Sequence, residues 1–216
     1  MTDSMVTIVG NSYFEPISVL LEKLEEYDNG SSGKVQSGYY VNGFACSICL
    51  LAVVCLESYV MRVRFINNAT QNEIDKVPVP NYVGKLYPDF PLEKELIEIH
   101  IIRDLIAHNH LWEIFFFWDD EKGIMPQAIK KRSRGDAKYK QFIDAKNNKT
   151  RNLGLNISPI KIDASDVTTV LHTMWNTLIF LEKKNRSQCY VSHLNVEHKG
   201  QMVKFGKVIG LPETCT

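Results

Sequence analysis

Apolar positions along this chain fall into blocks of helical period, separated by polar or proline-rich stretches. In residues 12–27, Ile17, Leu20, Leu21 and Leu24 recur at three- and four-residue intervals, and Pro16 sits where only the first turn of a helix tolerates it. Asn29-Gly-Ser-Ser-Gly33 then reads as a turn. From Gln36 to Asn67 there is no proline. A helix over that run is roughly 45 Å long at 1.5 Å per residue. Its first two-thirds are apolar nearly all round, the pattern of the central helix of a bundle. Val77 to Pro91, with four prolines, reads as a connecting loop. Leu92 to about Leu111 is the next helix, opened by Pro91 and by early glutamates that suit the positive end of its dipole. Phe115–Trp118 is too short for periodicity to choose between a strand and a helix end, and residues 119–162 are polar and irregular. Asp163-Ala-Ser-Asp166 has the character of an N-cap before a helix from Val167 to about Lys183. In the tail, Gln188–His193 and Met202–Gly206 alternate on either side of Lys199-Gly200, which suggests a strand pair.

These elements predict one mainly α domain over residues 1–216, a bundle of four to five helices. Its helical core spans about 12–112 and 163–184, with a basic insertion at 119–162 and a small β appendage at 185–216. A composition of 44% hydrophobic and 23% charged residues excludes a disordered chain, a fibre or a disulfide scaffold. Twenty-five Lys and Arg balance 25 Asp and Glu, so a polyanion partner has to be held by a local patch. Three of the five cysteines, Cys46, Cys49 and Cys55, lie in one apolar run, which points to core packing in a reducing cytoplasm. That run, Gly43–Leu56, falls short of the ~20 residues a membrane span needs. Extending it would place Glu57, Arg62 and Arg64 in lipid, so a buried helix and no membrane partner are expected.

Candidate chemistry concentrates in Arg103-Asp-Leu-Ile-Ala-His108-Asn-His110. These polar groups interrupt a core-facing helix and therefore need partners or a wet cleft. On an ideal helix His108 lies about 140° from Arg103. The helix must therefore end or kink near His108, or a second subunit must complete the site. Read from chemistry alone, the cluster also suits a helix C-terminus whose dipole the side chains complement. Glu57, at the end of the apolar run, is a buried acid in need of a partner, and Arg103 is the natural one. His100, His108 and His110 lack the spacing of a helical metal site, so no metal and no cofactor are expected. Cys46-x-x-Cys49, His172 and Trp175 read as core or interface residues.

An Arg, a polar residue and a His after four intervening positions, on the third long helix of a small bundle, resembles the signature of the HEPN superfamily. His108-Asn-His110 is similar to the His-x-Tyr of HEPN toxins, with His in the place of Tyr. The resemblance takes in the long helix around Leu56-Glu57-Ser58-Tyr59 and the late helix Val167–Lys183. It implies a metal-independent endoribonuclease, a toxin or antiviral effector acting as a homodimer, and leaves room for an antitoxin or regulatory partner. It assigns His108 to proton transfer, Arg103 to charge stabilisation, Asp104 to orienting the arginine, and His110 to phosphate positioning or the second proton transfer. The alternative is an inert module of the same fold that binds RNA, a nucleotide or a protein.

The segment Lys130–Arg151 holds nine basic and two acidic residues with Tyr139 and Phe142 interleaved. That is the composition of an arm contacting RNA phosphates, with Lys130, Lys131, Arg132, Arg134, Lys138 and Lys140 as the contacting cations.

Overall fold

The computed structural model describes residues 8–30, 36–108, 112–121, 123–131 and 140–212. The chain is mainly helical, as the periodicity predicts. A 3-10 turn at Val9–Tyr13 leads into α1 (Phe14–Tyr27), followed by the long α2 (Tyr39–Ile66), the short α3 (Gln71–Lys76) and α4 (Val79–Leu86), and α5 (Glu93–Ala107). A hairpin of β1 (Trp112–Asp119) and β2 (Gly123–Lys131) comes next, then a minimal pair, β3 (Ile143–Asp144) and β4 (Lys149–Thr150). The chain closes with α6 (Ala164–Lys184), the hairpin β5 (Asn195–His198) and β6 (Gln201–Lys204), and α7 (Phe205–Val208).

Central to the bundle is α2, packed against α1, α5, α6 and the first 3-10 turn. It is long and apolar enough to cross a membrane, but half of its most apolar window is buried inside the fold. Ala45, Ile48, Cys49, Ala52, Val53, Cys55, Leu56 and Val60 are fully enclosed, as expected of a helix with neighbours on several sides. The 3-10 turn comes close because Gly10 has no side chain: a Cβ there would meet the Cys55 carbonyl oxygen at 2.6 Å. Its amide donates instead to Ser58 Oγ at 2.8 Å. Phe14, Trp175 and Phe205 form an edge-on aromatic knot that ties the C-terminal appendage to the bundle, with the Phe14 and Phe205 centroids 4.7 Å apart.

Three sequence expectations are corrected. The proline-rich loop at 77–91 contains a helix, α4, because Pro78 is its N-cap and Pro80 lies in its first turn, where no amide is missed. The insertion is also more ordered than its polarity suggests. Trp112–Asp119 and Gly123–Lys131 form a hairpin of eight- and nine-residue strands with an irregularity between Phe115 and Phe116, and β3–β4 folds part of the basic run. The tail pair forms at 195–204 around Lys199-Gly200, both at positive φ, and Gln188–His193 is irregular.

Loops dock onto the helices through three buried carboxylates. Glu98 on α5 accepts the amides of Asn152 and Leu153 at 2.9 and 2.8 Å, and Asn152 Nδ2 at 2.6 Å. Asp166 on α6 accepts Asn156 through its amide and side chain, and also completes the α6 capping box with Asp163. Glu182 accepts the Val191 and Ser192 amides at 2.8 Å each, and Ser192 Oγ at 2.6 Å. Hydrogen bonds to a charged acceptor recover part of its desolvation and fix the loop.

Candidate functional site

Arg103 sits in the penultimate turn of α5, and one guanidinium nitrogen pairs with Glu57 of α2, as the sequence suggested. A second nitrogen lies 3.0 Å from Asp104 Oδ1. Glu57 also faces His100, whose Nε2 is 3.6 Å from the same carboxylate oxygen. Nδ1 of His100 donates to the Leu96 carbonyl at 2.8 Å, so the neutral ring carries its proton on Nδ1 and turns a lone pair toward Glu57. Burial dominates this ring and pushes its pKa below 6.5, against the opposing pull of the Leu96 carbonyl and Glu57.

These four groups line one side of a cleft of about 350 Å³. The remaining walls are Pro78–Asn81 at the start of α4, Ile97 and Ile101 of α5, and Gln141 with Phe142. The α4 wall is held from α2 by Arg64, which is buried and donates to the Ile74 and Val77 carbonyls at 2.9 and 2.5 Å while stacking over Tyr82. Arg64 therefore bonds to backbone where the sequence offered no obvious acid.

Two carboxylates, one guanidinium and one neutral imidazole give the cleft a formal charge of −1. Arg103 is positioned by its partners, with its Nε enclosed and unpaired, and it is not an open anion clamp. No family model, curated protein or solved structure matches this chain.

His108 is the C-cap of α5, exposed at the point where the helix stops, with its amide bonded to the Asp104 carbonyl. The helix thus ends where the sequence required an end or a kink. His108 is not among the cleft's lining residues: within one chain, Arg103, Asp104 and Glu57 come together and His108 stays one turn beyond them. His110 lies outside the described residues.

Of the basic run, Lys130 and Lys131 end β2 in register with Glu113 and Trp112. Lys140 is exposed, as are Lys146, Lys149 and Arg151 around β3–β4. Arg132, Arg134 and Lys138 lie outside the described residues. Just past the run, Asn152 and Leu153 are anchored to α5 through Glu98, and Gln141 and Phe142 within the run line the cleft. His100 and the α4 wall are the site components that sequence reasoning missed. The spacing of His100, three residues before Arg103 on the accessible face of α5, was the available signal.

Proposed function

We propose that this chain is a metal-independent endoribonuclease of the HEPN type, working from the C-terminal end of α5. The observation that carries the reading is the placement of a carboxylate-braced Arg103 and an exposed His108 within the last two turns of one helix. In this reaction His108 removes the proton from an RNA 2′-hydroxyl, and the 2′-oxygen attacks the adjacent phosphorus. The bond to the 5′-oxygen breaks, that oxygen takes up a proton from His110, and a 2′,3′-cyclic phosphate remains. Histidine is the side chain that both accepts and donates a proton most readily in general acid–base catalysis, which suits both transfers. Arg103 meets the charge that builds on the phosphorane, with Glu57 and Asp104 fixing its plane beforehand. Cations at Lys130–Lys131 and around β3–β4 hold flanking phosphates. Because Arg103 and His108 diverge around the helix, the complete constellation uses a second copy of the chain across a two-fold axis.

The test is cleavage of total RNA with and without EDTA by wild type, His108→Ala and Arg103→Ala. Each substitution should lower the rate by ~10²–10⁴, with circular dichroism unchanged. Equal cleavage by all three proteins overturns the assignment. A second reading, an inert binding module, is favoured by one observation: the two carboxylates that neutralise Arg103. It predicts a wild type that binds RNA or nucleotide in the same assay and never cuts.

A further inference from the structure

Among the described residues, one face of α2 has no neighbour along most of its length. Leu50 and Leu51 are half-buried, and Val54, Met61 and Phe65 are 36%, 42% and 57% exposed, although the opposite face of the helix is sealed. At 100° per residue, Leu50, Val54, Met61 and Phe65 fall within one narrow stripe. Glu57 flanks it on the α5 side and Ser58 on the side of the first 3-10 turn. Four large apolar side chains along one line of a packed helical bundle mark an interaction surface.

The stripe reads the same in both directions. Counted from the Glu57–Ser58 peptide bond, Val54 and Met61 are equidistant, and so are Leu50 and Phe65. An antiparallel copy of α2 centred on that bond seats Val54 on Met61 twice and Leu50 on Phe65 twice. This is the self-complementarity that a two-fold interface requires. The intervals of four, seven and four residues match the seam along which paired helices interlock. Glu57, the charged residue of α2 nearest the dyad, already carries its own counter-ion in Arg103, so its carboxylate is not left unpaired where two copies meet.

We infer that the occupant of this face is a second copy of the chain, packed antiparallel through α2 with the dyad at Glu57–Ser58. The two Glu57–Arg103 pairs then lie on either side of the dyad, and each cleft gains a wall from the other copy's α2. The inference deepens the ribonuclease reading by locating the second copy that reading needs, and its test measures assembly, not cleavage.

Val54→Cys and Met61→Cys variants are made separately and oxidised alone and as a mixture. In the antiparallel register, position 54 faces position 61, while two copies of position 54 are separated by about 10 Å along the axis, beyond disulfide reach. The mixture should give a crosslinked dimer well above the native-cysteine background of either variant alone. Wild type should sediment as a dimer at tens of micromolar, and Met61→Glu as a folded monomer by sedimentation and circular dichroism. A monomeric wild type, a dimeric Met61→Glu, or crosslinking no greater in the mixture than in the single variants overturns the inference. RNA cleavage by a monomer would separate this failure from a failure of the ribonuclease reading.

Discussion

Arg103 and Glu57 form the most consequential pair in the chain, because each is partly enclosed and each supplies the other's counter-charge. Their side chains are 28% and 29% exposed, so solvent softens the interaction without replacing it. Glu57→Gln keeps the shape and removes the charge; it should cost about 1–2 kcal/mol in chemical denaturation, read as a lower midpoint at constant slope. Val54→Ala, three residues away on the open stripe, should change the monomer's stability by much less.

His100 and Glu182 make the fold acid-sensitive. For His100 the folded pKa lies below the unfolded 6.5, because burial resists the charged ring. The unfolded chain therefore binds the extra proton first, and the stability that is present above pH 6.5 is lost as pH falls through the folded value. Burial pushes the Glu182 carboxyl up, but the Ser192 and Val191 hydrogen bonds pull it further down, and the net pKa is lowered. Its contribution is likewise present above the unfolded carboxylate pKa and is lost on acidification. Asp166 runs the other way, since burial outweighs its Asn156 hydrogen bonds and raises its pKa. Thermal midpoints measured from pH 7 to pH 4 should fall for wild type and fall less between pH 6.5 and 5 for His100→Gln.

At the scale of elements, what the sequence made legible followed from period and length. The long apolar α2, the amphipathic α1 and the capped α6 read correctly because their stripes extend over many residues. The end of α5 and the Glu57–Arg103 pair were legible because a charge in an apolar helix needs a partner. α4 was missed because proline content masked an N-cap position. The β1–β2 hairpin was missed because its apolar positions are shared with an aromatic run too short to show a period. The ordering of residues 140–153 was hidden for a different reason: it depends on Glu98, distant in sequence and read only as one more acid on a helix. Glu98→Ala should release that segment, with the amides of Asn152 and Leu153 exchanging hydrogen at least tenfold faster while α2 and α6 stay protected.

For the whole molecule, among the described residues, the bundle presents an accessible stripe on α5 and an open apolar stripe on α2, and the two adjoin at Glu57 and Arg103. The cleft and the proposed interface thus share one side of the fold, and the basic β3–β4 segment adjoins the cleft through Gln141 and Phe142. On the proposed ribonuclease reading, a neutral overall charge leaves RNA affinity to that local patch, so binding should weaken with salt in proportion to the phosphates engaged. The most direct test of the central claim is the chemistry of the RNA ends left by wild type in EDTA. We predict a 2′,3′-cyclic phosphate on one fragment and a free 5′-hydroxyl on the other, absent with His108→Ala and with Arg103→Ala. Fragments ending in 3′-hydroxyl and 5′-phosphate, or cleavage that both variants retain, would contradict the account.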